Sequence, residues 1–127
     1  MQIDNECVRD ILFTIEEKTS FEKGCFMIGA AKHYPKLEKY AESGKILYHV
    51  RYLAMKGMIY LPDKSIPNTY DLTPDGHEFL ANIREESNWK KIKGISSSIG
   101  FASLKVVSAI AEGVATAAIN QQLGFSK

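Results

Sequence analysis

The chain has 127 residues, 45% of them hydrophobic, which suits one domain with a modest core. Its formal net charge of +1 provides no global field that would draw it to nucleic acid or to a membrane. The charge is uneven: residues 1–88 carry 11 Lys/Arg against 14 Asp/Glu, a net of −3, and residues 89–127 carry 5 against 1, a net of +4. The two parts are therefore expected to do different jobs.

The opening stretch "MQIDNECVRD" is acidic and polar and lacks the positive start and apolar run of a signal peptide. The two cysteines, Cys7 and Cys25, have no close spacing and no zinc pattern. They are expected to be reduced thiols of a cytoplasmic protein, with Cys25 buried. Val8, Ile11, Leu12 and Ile15 recur at i, i+3, i+4, i+7 and predict one apolar stripe on a helix that Asp4 caps. After Gly24, "CFMIG" (25–29) is short, apolar and bounded by glycines, as a strand is. Pro35 is a good first helical residue, and Leu37, Tyr40 and Ala41 make one side of a short helix ending near Ser43-Gly44.

"GKILYHVRYLAMKGMIYL" (44–61) predicts a helix handing over to a strand. Ile46, Val50, Leu53 and Gly57 form one stripe, and Lys45, Tyr48, His49, Tyr52 and Lys56 the opposite one. Gly57 is placed to end the helix in the left-handed conformation. Met58 to Leu61 is a strand, "PDKSIPN" (62–68) a loop and "TYDL" (69–72) the returning strand. Thr73-Pro74 starts a helix with Phe79, Leu80 and Ile83 on its apolar face, fading into "REESN". Trp89 with "KKIKG" forms a basic joint, and Ile95 to Leu123 one long helix rich in Ala, Ser, Val and Ile.

This order gives an α+β, mostly helical fold class: a winged helix-turn-helix domain with a long C-terminal helix. The expected division is a winged-helix domain over 1–88, a basic joint over 89–94 and a self-association helix over 95–123. The recognition helix would span about 44–57 and the wing about 58–72.

Two stretches carry a family resemblance. "YHVRYLAMKGMI" (48–59) resembles the end of a winged-helix recognition helix, and "YDLTPDGHEFL" (70–80) the exit from the wing. With "VRDILFTIEE" (8–17) and "LANIREESNWKKIK" (80–93), they resemble the domain-of-unknown-function family 2513, of bacteria, phages and prophages. The resemblance covers about residues 1–95. It implies a winged-helix fold and no particular activity. The apolar "IGFASLKVVSAIAEGVATAAINQQ" departs from it, and residues 21–34 have no match.

If the 44–57 helix enters a major groove, Lys45 and Lys56 would sit on phosphates, and Tyr48, His49, Arg51 and Tyr52 would reach base edges or backbone. Arg51 suits guanine, because its fork can bond both acceptors. Lys64 in the wing would touch a flanking phosphate. No acid lies between 44 and 57. A solvated helix face is the plainer alternative, since the loop at 62–68 holds one lysine against one aspartate and residues 1–88 are net acidic.

Catalysis is not expected. His77-Glu78 lacks the second histidine of a zinc-protease pair, Ala81 standing in its place. No phosphate-binding glycine loop and no carboxylate pair is evident, so neither metal nor cofactor is expected. Between Ile95 and Leu123 only Lys105 and Glu112 are charged. That run is long enough to cross a bilayer, but the two charges, seven apart, share one face with Ser98, Ser108 and Thr116 on or near it. Self-association is the preferred reading, through Ile99, Val106, Ala109, Ile110, Gly113, Val114 and Ala117, ahead of packing back onto its own domain and of membrane insertion. Two functions follow: a dimeric, double-stranded-DNA-binding regulator of bacterial or phage origin, or a non-enzymatic module that binds a host or anti-phage defence protein.

Overall fold

The structure, a computed structural model, describes residues 3–20, 26–27, 34–40, 44–62, 65, 69–99 and 103–124. It is α+β and mostly helical, and it divides into two compact units, residues 1–78 and 79–127.

The first unit begins at Asp4. A helix start leaves backbone N–H groups open, and a short carboxylate can accept from them. Asp4 Oδ1 accepts from Glu6 N at 3.0 Å and from Cys7 N at 3.3 Å. Helix α1 then runs Asn5–Lys18, with the expected stripe of Val8, Ile11, Leu12 and Ile15 buried and Cys7 beside it. Strand β1 is Phe26–Met27, inside the expected 25–29; Cys25 lies outside the described residues.

The helix expected from Pro35 is shorter than its sequence suggests. A turn at 34–37 leads into a single 3-10 turn, Glu38–Tyr40. Leu37 and Tyr40 are buried as expected, so one turn suffices to place both. Ala41 lies outside the described residues.

Helix α2 runs Lys45–Met55. Its end is closed by two reversed bonds, Met58 N to Leu53 O at 3.0 Å and Gly57 N to Ala54 O at 3.1 Å. That pattern needs a left-handed residue between helix and strand, and Gly57 supplies it with φ 76°. Strand β2 is Ile59–Tyr60 and β3 is Thr69–Leu72. β3 lies between the other two and is antiparallel to both, with Ile59 opposite Leu72 and Phe26 opposite Tyr70.

Helix α3, Pro74–Ile83, starts where Thr73 expects it to. Thr73 Oγ1 accepts from Gly76 N at 3.0 Å and donates to Gly57 O, so one hydroxyl ties the start of α3 to the end of α2. Thr73 N donates to Met58 O at 3.0 Å. The division between the units falls inside α3, whose Phe79, Leu80 and Ile83 are buried.

The second unit corrects two expectations. Residues 89–94 are not a joint; they lie within helix α4, Glu86–Ile99, where Trp89 and Ile92 are buried. Residues 95–123 are not one helix either. Helix α5 begins at Leu104 and ends at Gln122, with Ser103 Oγ accepting from Val106 N at 3.3 Å. The physical reason is amphipathicity. Trp89, Ile92 and Ser96 lie on one stripe of α4, and Leu104, Val107 and Ala111 on one stripe of α5. Two helices packed together bury both stripes, whereas one straight helix would leave them in water. Among the described residues no helix is long and apolar enough to cross a membrane.

Candidate nucleic-acid interface on helix α2

The rotation of α2 decides which side chains it offers. Ile46, Val50 and Leu53 are buried, as the periodicity predicts, but so is His49, at 2% exposure. His49 precedes Val50 by one residue and follows Ile46 by three, so it sits about 60° around from Ile46 and borders the apolar stripe. The outward face is shifted accordingly. Its exposed members are Leu47, Tyr48, Arg51, Met55 and Lys56. Met55 is 86% exposed, so nothing in the unit covers it.

His49 is therefore a structural residue and not a reader of bases. Its Nε2 accepts a hydrogen bond from Asp4 N at 2.9 Å, and its Nδ1 lies 2.8 Å from Lys45 O. An acceptor at Nε2 puts the proton on Nδ1, which then donates to that carbonyl. The ring joins the start of α1 to the first turn of α2.

Lys45 is engaged in the same joint. Its Nζ lies 2.6 Å from Asp4 Oδ2 and 5.7 Å from the centroid of the Tyr40 ring. Burial alone would raise the Asp4 carboxyl, but the Lys45 ammonium and the N–H groups of Cys7 and Glu6 outweigh it and hold it below its ordinary value. The hydrogen bond to Asp4 in turn raises Lys45, so both groups are charged at neutral pH. Lys45 thus reaches the surface with its charge largely answered from within.

The remaining cations of the face are Arg51 and Lys56, both exposed. Helix α2 carries no acid. Tyr48 is 44% exposed, Tyr52 is half-buried, and Tyr60 on β2 adds a second exposed ring at 47%. Lys64 lies outside the described residues. Leu47, Met55 and Tyr60 were not singled out by the sequence. The signal for the first two was there: they stand four residues either side of Arg51, off the apolar stripe.

Other groups offer little chemistry. Burial, with the Asp4 carboxylate next in effect, pushes the Cys7 thiol up to about 12, so it is protonated and inert as a nucleophile. Burial and a 2.7 Å hydrogen bond donated to Asp10 Oδ2 push the Tyr40 phenol above its usual range. An open groove of about 400 Å³ near the end of α1 is lined by Glu16, Thr19, Ser20, Asp71 and His77. Its carboxylates make it a poor seat for phosphate. Among the described residues no three His, Cys, Asp or Glu side chains are grouped to hold a metal ion.

In the second unit, none of the seven expected self-association residues is buried. Ile99, Ala109, Gly113 and Ala117 are exposed, and Val106, Ile110 and Val114 are half-buried. A Cβ added at Gly113 would meet nothing within 4 Å. Ile119 and Leu123 extend this exposed apolar surface along α5.

The first unit is thus a small α+β body that displays one helix face made of an arginine, a lysine and exposed apolar and aromatic side chains. The chain belongs to the family described as "Hypothetical protein (DUF2513)", which matches residues 2–102 and so reaches past α4. No curated protein and no solved structure matches it.

Proposed function

We propose that residues 1–78 form a winged helix-turn-helix and that the protein is a small, non-enzymatic, cytoplasmic DNA-binding regulator, bacterial or phage, acting as a homodimer. The observation that carries this reading is the outward face of α2. It presents Arg51 and Lys56 with no carboxylate on the helix, directly ahead of the antiparallel β2–β3 pair. The 3-10 turn with buried Tyr40 stands just before α2, in the place of a first helix-turn-helix element. A recognition helix followed by a hairpin wing uses this arrangement to meet a major groove. Lys56→Ala is expected to weaken binding to every duplex and to lower the salt slope by about one. An unchanged slope in a titration of log affinity against log salt would contradict the phosphate role of Lys56.

The dimer is proposed through the exposed surface of α5, where Ala109, Gly113 and Ala117 allow close helix approach. Light scattering is expected to give twice the mass of the chain for the wild type and a monomer for Gly113→Leu. A wild-type monomer at tens of micromolar would contradict this part.

A second reading has its own observation. Leu47, Tyr48 and Met55 are exposed on α2 and Tyr60 on β2, and residues 1–78 carry 10 Lys/Arg against 12 Asp/Glu, a net of −2. Aromatic, Met and Arg side chains are enriched at protein interfaces, and net acidity opposes non-specific DNA binding. On this reading the α2 face docks a host or phage protein. A partner that stays bound through nuclease and high salt, and is lost in Tyr48→Ala, would favour it.

A further inference from the structure

We infer that the α2 face reads a guanine flanked by thymines in the major groove of duplex DNA. The inference rests on the DNA-binding reading above and adds its base preference. Leu47, Arg51 and Met55 stand at i, i+4 and i+8, on one ridge, and all three are exposed, Leu47 at 42% and Met55 at 86%. The ridge therefore places one guanidinium between two apolar side chains. No acid lies on the helix to compete for that guanidinium.

Each base offers this ridge a different chemistry. Guanine shows two acceptors, O6 and N7, in the major groove, and the arginine fork can bond both. Thymine shows a C5-methyl group, which suits an apolar side chain. Adenine and cytosine show amino donors, which Leu47 cannot accept from and the Met55 thioether accepts from only weakly. Spacing agrees. Four residues of helix rise about 6 Å, close to two base steps at about 3.4 Å each. A helix lying along the groove with Arg51 on a guanine thus brings Leu47 and Met55 over methyl groups within two steps on either side. The ridge is also selective by omission, because exposed Leu and Met gain nothing from phosphates.

The test is selection of bound duplexes from a random library, followed by anisotropy titration of the enriched duplex and of copies with thymine replaced by uracil. Uracil differs from thymine only by the missing methyl. The selected site is expected to hold a guanine with a thymine, on either strand, within two steps to each side. Uracil should weaken binding about fourfold per methyl contacted. Leu47→Ala and Met55→Ala should each abolish the thymine-to-uracil difference at one flank. Arg51→Ala should flatten the guanine preference by about tenfold and leave the thymine-to-uracil difference in place. All three positions are exposed, so the variants fold. Binding without guanine preference, or with equal affinity for uracil and thymine, overturns the inference and leaves the DNA-binding reading standing. No binding to any duplex at low salt overturns both and leaves the ridge to a protein partner or to solvent.

Discussion

Gly76→Ala is expected to destabilise the protein by about 3 kcal/mol, the upper part of the range for a group forced into filled space. The added Cβ would overlap Met58 O and stand 3.0 Å from Met58 C. These are backbone atoms, so no side chain can swing aside. Met58 also has little freedom. Its N–H closes α2 on Leu53 O at 3.0 Å, and its carbonyl accepts from Thr73 N at 3.0 Å. A shift here would loosen the end of α2 and the start of α3 together. In an open helix interior the same change would stabilise by about 1 kcal/mol, because alanine is the better helix former. The two accounts differ in sign, which urea unfolding resolves directly. A midpoint unchanged or raised in Gly76→Ala would mean that α3 does not approach this corner as closely as described.

The second large effect is at His49. His49→Ala is expected to cost about 3 kcal/mol, from a buried ring removed and a backbone N–H left without its acceptor. Asp4 N would lose its bond to Nε2, and Lys45 O its partner at Nδ1. Because Asp4 also caps α1 and holds Lys45, the loss falls on the joint between α1 and α2. The variant's urea midpoint should drop while the salt slope of duplex binding, measured where the variant is still folded, stays as in the wild type. Unchanged stability with weakened DNA binding would instead make His49 a residue of the proposed DNA contact.

How far the sequence was legible follows from which forces act locally. Strand Thr69–Leu72, the Thr73 cap and the left-handed Gly57 were all evident, because each is decided by neighbours within a few residues. The family was evident for the same reason, since "YHVRYLAMKGMI" and "YDLTPDGHEFL" hold those local signals in a fixed order. Periodicity puts His49 on the stripe opposite Ile46 and Val50, yet the ring is buried, because a histidine at the margin of an apolar stripe can turn either way. What settles it is Asp4, 45 residues distant, whose N–H needs an acceptor there. Lys45 is similar: its charge is plain in the sequence, and its ion pair is not.

The C-terminal part shows the opposite limit. From Ile95 onward the composition is mostly helix-favouring, and no proline marks a break. The break comes from packing. Trp89, Ile92 and Ser96 need a surface to bury against, and Leu104, Val107 and Ala111 form the matching stripe of the next helix. The local signs are Ser103, a cap residue, and Gly100, a residue type that commonly ends helices.

The central claim is that the face holding Arg51 and Lys56 meets DNA. The most direct measurement is a titration of the purified protein against random-sequence duplex DNA at low and at moderate salt. Binding is expected at low salt and should weaken steeply as salt rises, through release of counterions from the contacted phosphates. Absence of binding even at low salt, from a protein shown by circular dichroism to be folded, would contradict it.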